Sequence, residues 1–405
     1  MLKQLLDTPG FTDNIRAYNQ MFSMTSFGAR IDDTVNDGRS PYIFKISGQV
    51  YHWIGSMCPQ EGSPPLFLQL YIYDTEHEID NIMSHFSGRA SGNLYDIVVS
   101  QLIQLLDTHN ELVKLFRTAR DKCSEFEVPT FKVRLFSLAG SRQHQLPTSD
   151  AIGAIVLDSG PLSITDYDVI IESKYDRPRR INKLHPSYMS LQYPLIFFFG
   201  EPGFHPDLML RDVPGSSGGR SRKMSMNMYY SYQIHDRLRV YSLMLRWGRL
   251  FQQYIVTIYC SIELDRMDYF RKNQQNIRNE YLSGLYDAIS RGEKTGYDVG
   301  SHTILPASFT GGPRYMYSHY LDALAICRVY GNPQFFVTFT CNVKWPEIAR
   351  YLQSYPRMSA SDRADIVARV FHFKVTQFLA FIKESKPLGV FRGGNSFPAI
   401  CMFPV

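Results

Sequence analysis

ILPASFTGGPRYMYSHYLDALAICRVYGNPQFFVTFTCNVKWPEI, residues Ile304 to Ile348, runs a glycine-marked turn, a helical pattern and a bulky apolar segment together. Gly311-Gly-Pro313 supplies the turn, and its proline suits the first helical position, where the missing N–H would have no partner anyway. Tyr317 to Tyr330 has the periodicity of an amphipathic helix. Phe335-Phe-Val-Thr-Phe-Thr340 is β-branched and aromatic throughout, which predicts a strand. Alternation then sends Phe335, Val337 and Phe339 to one face and Thr338, Thr340 and Asn342 to the other. Trp345-Pro-Glu-Ile opens a further helix, and Ser361 to Lys383 predicts another. None of these elements carries an enzyme signature.

Upstream, residues 11–75 alternate apolar and polar positions between turn signals. Pro41 to Gly48 and Leu66 to Tyr73 are the clearest cases, so short strands are predicted. Leu94 to Arg120 carries a helical stripe through Ile97, Leu102, Leu105, Leu106, Leu112 and Phe116, interrupted at Asp107-Thr-His-Asn110 by a cap. Phe131 to Phe136 and Tyr167 to Glu172 predict a second small sheet, separated by a polar loop at Gly140 to Asp150. Leu195 to Gly200 ends an apolar run that resembles a buried strand, and Val213-Pro-Gly-Ser-Ser-Gly-Gly219 marks a joint. Beyond it, Tyr229 to Asp265 predicts one long helix and Ile277 to Ser290 a second.

With 405 residues, 44% hydrophobic and 14% aromatic, the chain is long and apolar enough for two or three packed domains. A balance of 43 basic against 38 acidic side chains, net +5, is too mild to argue for nucleic acid by itself. Cys58, Cys123, Cys260, Cys327, Cys341 and Cys401 are scattered without a CxxC pair, which fits neither a disulfide framework nor a zinc cluster. No apolar run approaches the ~20 residues of a membrane span. The expected location is nuclear or cytoplasmic, not secreted, with no membrane partner.

Local charge carries more. Arg220, Arg222, Lys223, Arg237, Arg239, Arg246 and Arg249 are interleaved with Tyr229, Tyr230, Tyr232, Tyr241 and Trp247. Cations that track phosphates, alternating with rings that stack on unpaired bases, suit single-stranded DNA. The competing reading is a solvated helix face with its tyrosines in the core. Arg314 and Tyr315, just after the Gly311-Gly312 turn, offer a second cation and ring, or simply lead into a helix. Asp176 to Lys183 is a compact basic run suited to import, to DNA contact or to solvent. His319 and His372 stand alone on their helices, without a partner at i+3 or i+4, and read as ordinary histidines. Tyr315, Tyr317 and Tyr320 read as packing residues.

Several words of this chain, in order, resemble plant-type Helitron proteins: Asn14-Ile-Arg-Ala-Tyr-Asn19, Tyr71-Ile-Tyr-Asp-Thr-Glu76, Leu184-His-Pro-Ser-Tyr-Met189, Tyr230-Ser-Tyr-Gln-Ile-His235, Ser308 to Arg314 and Phe335 to Trp345. The chain resembles the Helitron helicase-like domain, the N-terminal part of rolling-circle transposases. The resemblance implies a strand after the helix at Ala364 to Ile382 that carries histidine, one hydrophobic residue, then histidine. Side chains two apart on a strand share a face, so such a pair grips a divalent metal ion while a helical tyrosine attacks the phosphodiester. Here none of the eleven histidines lies two positions from another. No G-x-x-x-x-G-K-[ST] phosphate loop occurs either.

The resulting expectation is an α+β chain. Small β-rich N-terminal modules precede an incomplete rolling-circle-initiator-like domain of helices packed on an antiparallel sheet. The expected divisions are a β-rich module with helices over 1–125, a mixed module over 126–212, a flexible basic joint over 213–228, and the helicase-like domain over 229–405, truncated before its His-x-His motif. Function is expected to be that of a Helitron-derived fragment with no nicking or helicase activity, no catalytic residues and no cofactor or metal. Residual binding of single-stranded DNA would rest on the basic residues named above with Trp247, Arg314 and Tyr315. The alternatives are a non-enzymatic host interaction protein and a pseudogene product without selected function.

Overall fold

The structure is a computed structural model. It describes residues 5–6, 8, 10–28, 30–31, 46–47, 50–55, 59, 64–72, 77–86, 94–125, 131–135, 153–157, 169–172, 179–210, 222–237, 239–274, 305–335, 337–355 and 357–390. The chain divides into two compact units, Met1–Ser261 and Ile262–Val405, and is α+β as expected.

In the first unit, helix α1 (Ile15–Phe22) replaces the strand predicted there. Ile15, Tyr18, Asn19 and Phe22 are buried, at i, i+3, i+4 and i+7, so the helical period lay beneath the apparent alternation. Leu66 to Ile72 is likewise not a strand, and Tyr73 lies outside the described residues. Phe67–Tyr71 forms a 3-10 turn, because the Gln69 side chain accepts the Leu66 N–H at 3.0 Å and curls the backbone locally.

Among the described residues there are three small antiparallel sheets. The first has order β1 (Ser26–Phe27), β4 (His52–Ile54), β8 (Arg179–Arg180), with Phe27 opposite His52 and Trp53 opposite Arg180. Residues on either side of the expected 125/126 division therefore share one sheet. The second pairs β2 (Arg30–Ile31) with β3 (Ile46–Ser47). The third sets β5 (Phe131–Leu135) between β6 (Gly153–Leu157) and β7 (Val169–Glu172), in line with the two strands read from sequence. The Gly140 to Asp150 loop, and Pro41 to Lys45, lie outside the described residues.

Helix α2 (Glu78–Ser84) precedes the pair α3 (Asp96–His109) and α4 (Glu111–Glu125), which break at Asn110 as predicted. The buried Asn110 side chain accepts the Leu112 and Val113 N–H groups at 3.0 and 3.1 Å, which caps α4. Its amide donates to the Phe198 carbonyl at 3.1 Å, which ties the helix pair to residues 193–200. Gly200 sits there at φ +71°, and a Cβ would come within 2.8 Å of the Asn110 oxygen. Leu195 to Phe198 is buried as expected, but it forms turns rather than a strand. The Ile196 and Phe197 N–H groups both return to the Tyr193 carbonyl. Arg117 of α4 donates to both Glu78 oxygens at 2.7 and 2.9 Å and to Asp107 at 3.0 Å. A charge that deep requires paired, hydrogen-bonded company.

The region predicted as one helix from Tyr229 to Asp265 is broken. Helix α6 (Met226–Ile234) ends where Arg237 donates to the Tyr232 and His235 carbonyls at 2.6 and 3.2 Å. Its guanidinium thereby satisfies acceptors that a continuing helix would have used. Arg239 then adopts φ +65°, and α7 (Arg249–Lys272) resumes after Gly248. Short helix α5 (Tyr188–Gln192) lies upstream. Leu250, Phe251, Tyr254, Ile255 and Ile258 of α7 are buried, and Tyr254 packs edge-on against Tyr193, Phe197 and Tyr230 at 5.4 to 6.4 Å. Each such ring contributes about 1.5–3 kcal/mol by burial.

The second unit holds α8 (Pro313–Tyr330), α9 (Pro346–Leu352) and α10 (Ala364–Ser385), all foreseen from sequence. Proline starts the first two, and Gly331 at φ +83° closes the first. The described residues between Phe335 and Cys341 do not form a strand. A strand exists only through ladder hydrogen bonds to a neighbour, and among the described residues of this unit no strand is present to supply them. Phe339 is held instead by stacking on Phe378 at 4.8 Å, Phe371 at 5.9 Å and Trp345 at 6.0 Å. Phe335 and Val337 stay exposed. The fully buried Arg363 grips Asp365 through two hydrogen bonds of 2.9 and 3.0 Å and lies over the Tyr351 and Tyr355 rings. Ile277 to Ser290 and the tail from Phe391 lie outside the described residues.

Two consequences are measurable. His52 is buried, stacked on Tyr188 at 4.0 Å, and bonded through Nδ1 to the Tyr188 carbonyl at 3.1 Å. Burial pushes its imidazole down to about 3. The unfolded chain takes up a proton near pH 6.5 that the folded chain refuses until about pH 3, so stability falls as pH falls through that window. Denaturant titrations should show about 2 kcal/mol lost from this group between pH 7 and pH 5, and His52→Phe should flatten the slope by that amount. Asn110→Ala should cost about 2–3 kcal/mol, the loss of a cap plus orphaned buried groups, read from the same titrations at pH 7.

Candidate nucleic-acid interface

The break between α6 and α7 leaves Arg237, Arg239, Tyr241 and Trp247 outside both helices, while Tyr229, Tyr230 and Tyr232 lie on α6 and Arg249 opens α7. Arg222 and Lys223 are exposed on an antiparallel bridge, where the Leu210 N–H donates to the Arg222 carbonyl at 2.8 Å and Met209 faces Lys223. Lys223 lies 3.9 Å from Asp207, an exposed pair of little energetic weight. Arg220 lies outside the described residues, as does most of the glycine- and serine-rich joint.

Two tyrosines of this segment remain open to solvent, and each has a guanidinium over it. Tyr232 is 68% exposed, with Arg237 at 3.8 Å from its ring centroid. Tyr241 is 47% exposed, with Arg246 at 4.5 Å. Arg237 is fixed by the two carbonyls that it caps, so its charge stays beside the ring. Arg239 and Arg249 are exposed nearby in sequence, and the left-handed backbone of Arg239 keeps it out of any helix.

The other rings of the segment lie inside. Trp247 is 0% exposed and packs edge-on against Phe11 at 6.2 Å, which corrects its expected part in base stacking. A wholly buried indole has no face to offer. Its position is imposed by the Arg246-Trp247-Gly248 turn into α7, where the Leu250 N–H returns to the Trp247 carbonyl at 3.0 Å. Tyr230 is also buried. Tyr229 is part-buried and its hydroxyl accepts from Gln233 at 2.8 Å. Burial, reinforced by Glu201, pushes that phenol up to about 12.

In the second unit Arg314 is half-buried in the first turn of α8. Tyr315 is half-buried too, its ring edge-on to His319 at 4.4 Å. Tyr317 and Tyr320, read from sequence as packing residues, are 61% and 55% exposed. His319 also lies 3.9 Å from Asp322. Among the described residues no three His, Cys, Asp or Glu side chains converge as the ligands of a metal ion would. Among them, too, no helix is long and apolar enough to cross a membrane.

A family model described as the Helitron helicase-like domain at the N-terminus matches residues 229–394. The match begins inside α6, crosses the division between the two units and ends beyond α10. The chain thus contains a Helitron helicase-like domain, which suggests a transposon-derived protein. No curated protein matches the chain.

Since Trp247 belongs to the core and not to the interface, Trp247→Ala should cost about 3–5 kcal/mol in denaturant unfolding. Tyr232→Ala, which removes a mostly exposed ring, should stay within about 1 kcal/mol of the parent.

Proposed function

We propose that this Helitron helicase-like domain-containing protein binds single-stranded DNA through residues 222–249 and does not cut it. The observation that carries the reading is the pair of solvent-open tyrosines with arginines beside them, Arg237 with Tyr232 and Arg246 with Tyr241. A base stacks on the open side of a ring, while the guanidinium beside it meets the flanking phosphate. That juxtaposition puts both halves of a nucleotide-binding contact at one spot. Arg222, Lys223, Arg239 and Arg249 extend the cationic track along the same segment.

Cleavage in the family would draw on a divalent ion held by paired histidines. The 405 residues contain no two histidines separated by one residue, so the residues present do not fit that group. They likewise lack the phosphate loop that ATP-driven unwinding needs. Initiator-like packing of the second unit's helices forms part of this proposal, with α8 and α10 as its helices. Nuclear residence follows from the same reading, since chromosomal DNA is the target.

The test is fluorescence anisotropy of a labelled oligothymidylate across a salt series. Binding should weaken steeply with salt, and Arg237→Gln with Arg246→Gln should reduce the log–log slope by about 1.4, from roughly 0.7 for each phosphate of a single strand that is no longer neutralised. A slope unchanged by the double variant would remove these arginines from the interface. In parallel, the labelled strand should stay intact with magnesium or manganese and carry no covalently attached protein. A nicked, protein-linked end would refute the second half of the proposal.

A further inference from the structure

We infer that one face of α8 is a second binding surface for single-stranded nucleic acid, a ridge built on Tyr317 and Tyr320; this rests on the binding proposed for residues 222–249. Helix α8 buries none of its residues, although a helix of its length in a packed unit normally hides an apolar stripe. At 100° per residue, Arg314, Tyr317, Tyr320, Leu321, Leu324 and Arg328 fall within about 120° of the helix circumference. The two tyrosine rings are exposed and adjacent, 6.2 Å apart and tilted by 32°. They form a short platform on which successive bases stack.

Charge selects the occupant. Arg314 and Arg328 lie at opposite ends of the ridge, about 21 Å apart along the axis at 1.5 Å per residue, with the aromatic pair between them. The one acidic residue of the helix, Asp322, falls outside this arc and lies 3.9 Å from His319. A face with cations at its ends, rings in its middle and no carboxylate suits a polyanion with flat, apolar bases. An acidic peptide would use the arginines but leave the rings idle, and a second copy of the face would bring like charges together.

The experiment compares the full chain with Tyr317→Ala/Tyr320→Ala, Tyr317→Phe/Tyr320→Phe and Arg314→Gln/Arg328→Gln variants on an oligothymidylate and on the same strand with abasic sites. Stacking predicts that the alanine pair weakens binding about tenfold or more on the intact strand, that the phenylalanine pair retains it, and that the alanine effect vanishes on the abasic strand. The arginine pair should shallow the salt dependence without abolishing the preference for bases. Intact binding by the alanine pair, or an equal loss on both strands, would overturn the ridge alone. Failure of the parent chain to bind any single strand would overturn both the ridge and the reading beneath it. Both rings are outside the core, so circular dichroism should be unchanged. Even if a variant misfolds, equal affinity of the unaltered protein for the intact and abasic strands would sink the ridge together with the stacking proposed at Tyr232 and Tyr241.

Discussion

Everything in the first unit turns on Tyr254 and the apolar stripe of α7 around it. Tyr254 lies against Tyr193, Phe197 and Tyr230, and its hydroxyl reaches Gln233 at 2.8 Å. One turn further on, Thr257 meets the Tyr193 hydroxyl at 2.6 Å. Arg16 of α1 reaches Gln253 at 3.2 Å, and Trp247 closes against Phe11. Rings packed edge-on tolerate little displacement. Once α7 is seated, the residues just before it must either enter the core or face water. Trp247 and Tyr230 enter, and Tyr232 and Tyr241 remain outside with their arginines.

That seating also explains why the matched domain does not coincide with a compact unit. Residues 229–261 belong to the matched region, yet their apolar atoms are buried with residues 11–25 and 188–198. Several polar groups of the surrounding core are satisfied in pairs. Asn19 donates to the Gln192 carbonyl at 2.9 Å, and Thr25 donates to the Gln192 side chain at 2.8 Å. Orphaned, each would cost a few kcal/mol, so the pairs specify the packing as much as the rings do.

Helices were legible wherever a long period came with a terminal signal. Asn110 between α3 and α4, and the prolines opening α8 and α9, marked their boundaries correctly because caps act through atoms a few residues away. Short elements were legible only in part: the strands at Phe131–Leu135 and Val169–Glu172 were read, whereas others were not. Ile15–Phe22 looked alternating and is helical, Phe67–Tyr71 is curled by one glutamine side chain, and Phe335 to Cys341 has strand composition without a strand partner among the described residues. Propensity reports what a segment tolerates, whereas pairing depends on residues distant in the chain.

By itself the sequence determined the helical segments of the second unit, the family resemblance later matched over 229–394, and the clustering of cations with rings. Tertiary structure alone decided which rings are usable. Tyr317 and Tyr320 were read as packing residues and face solvent, while Trp247 was read as a stacking face and is buried. The physical reason is that exposure belongs to no single residue. It is set by whether another element covers that residue, and helical spacing and composition say nothing about which element will.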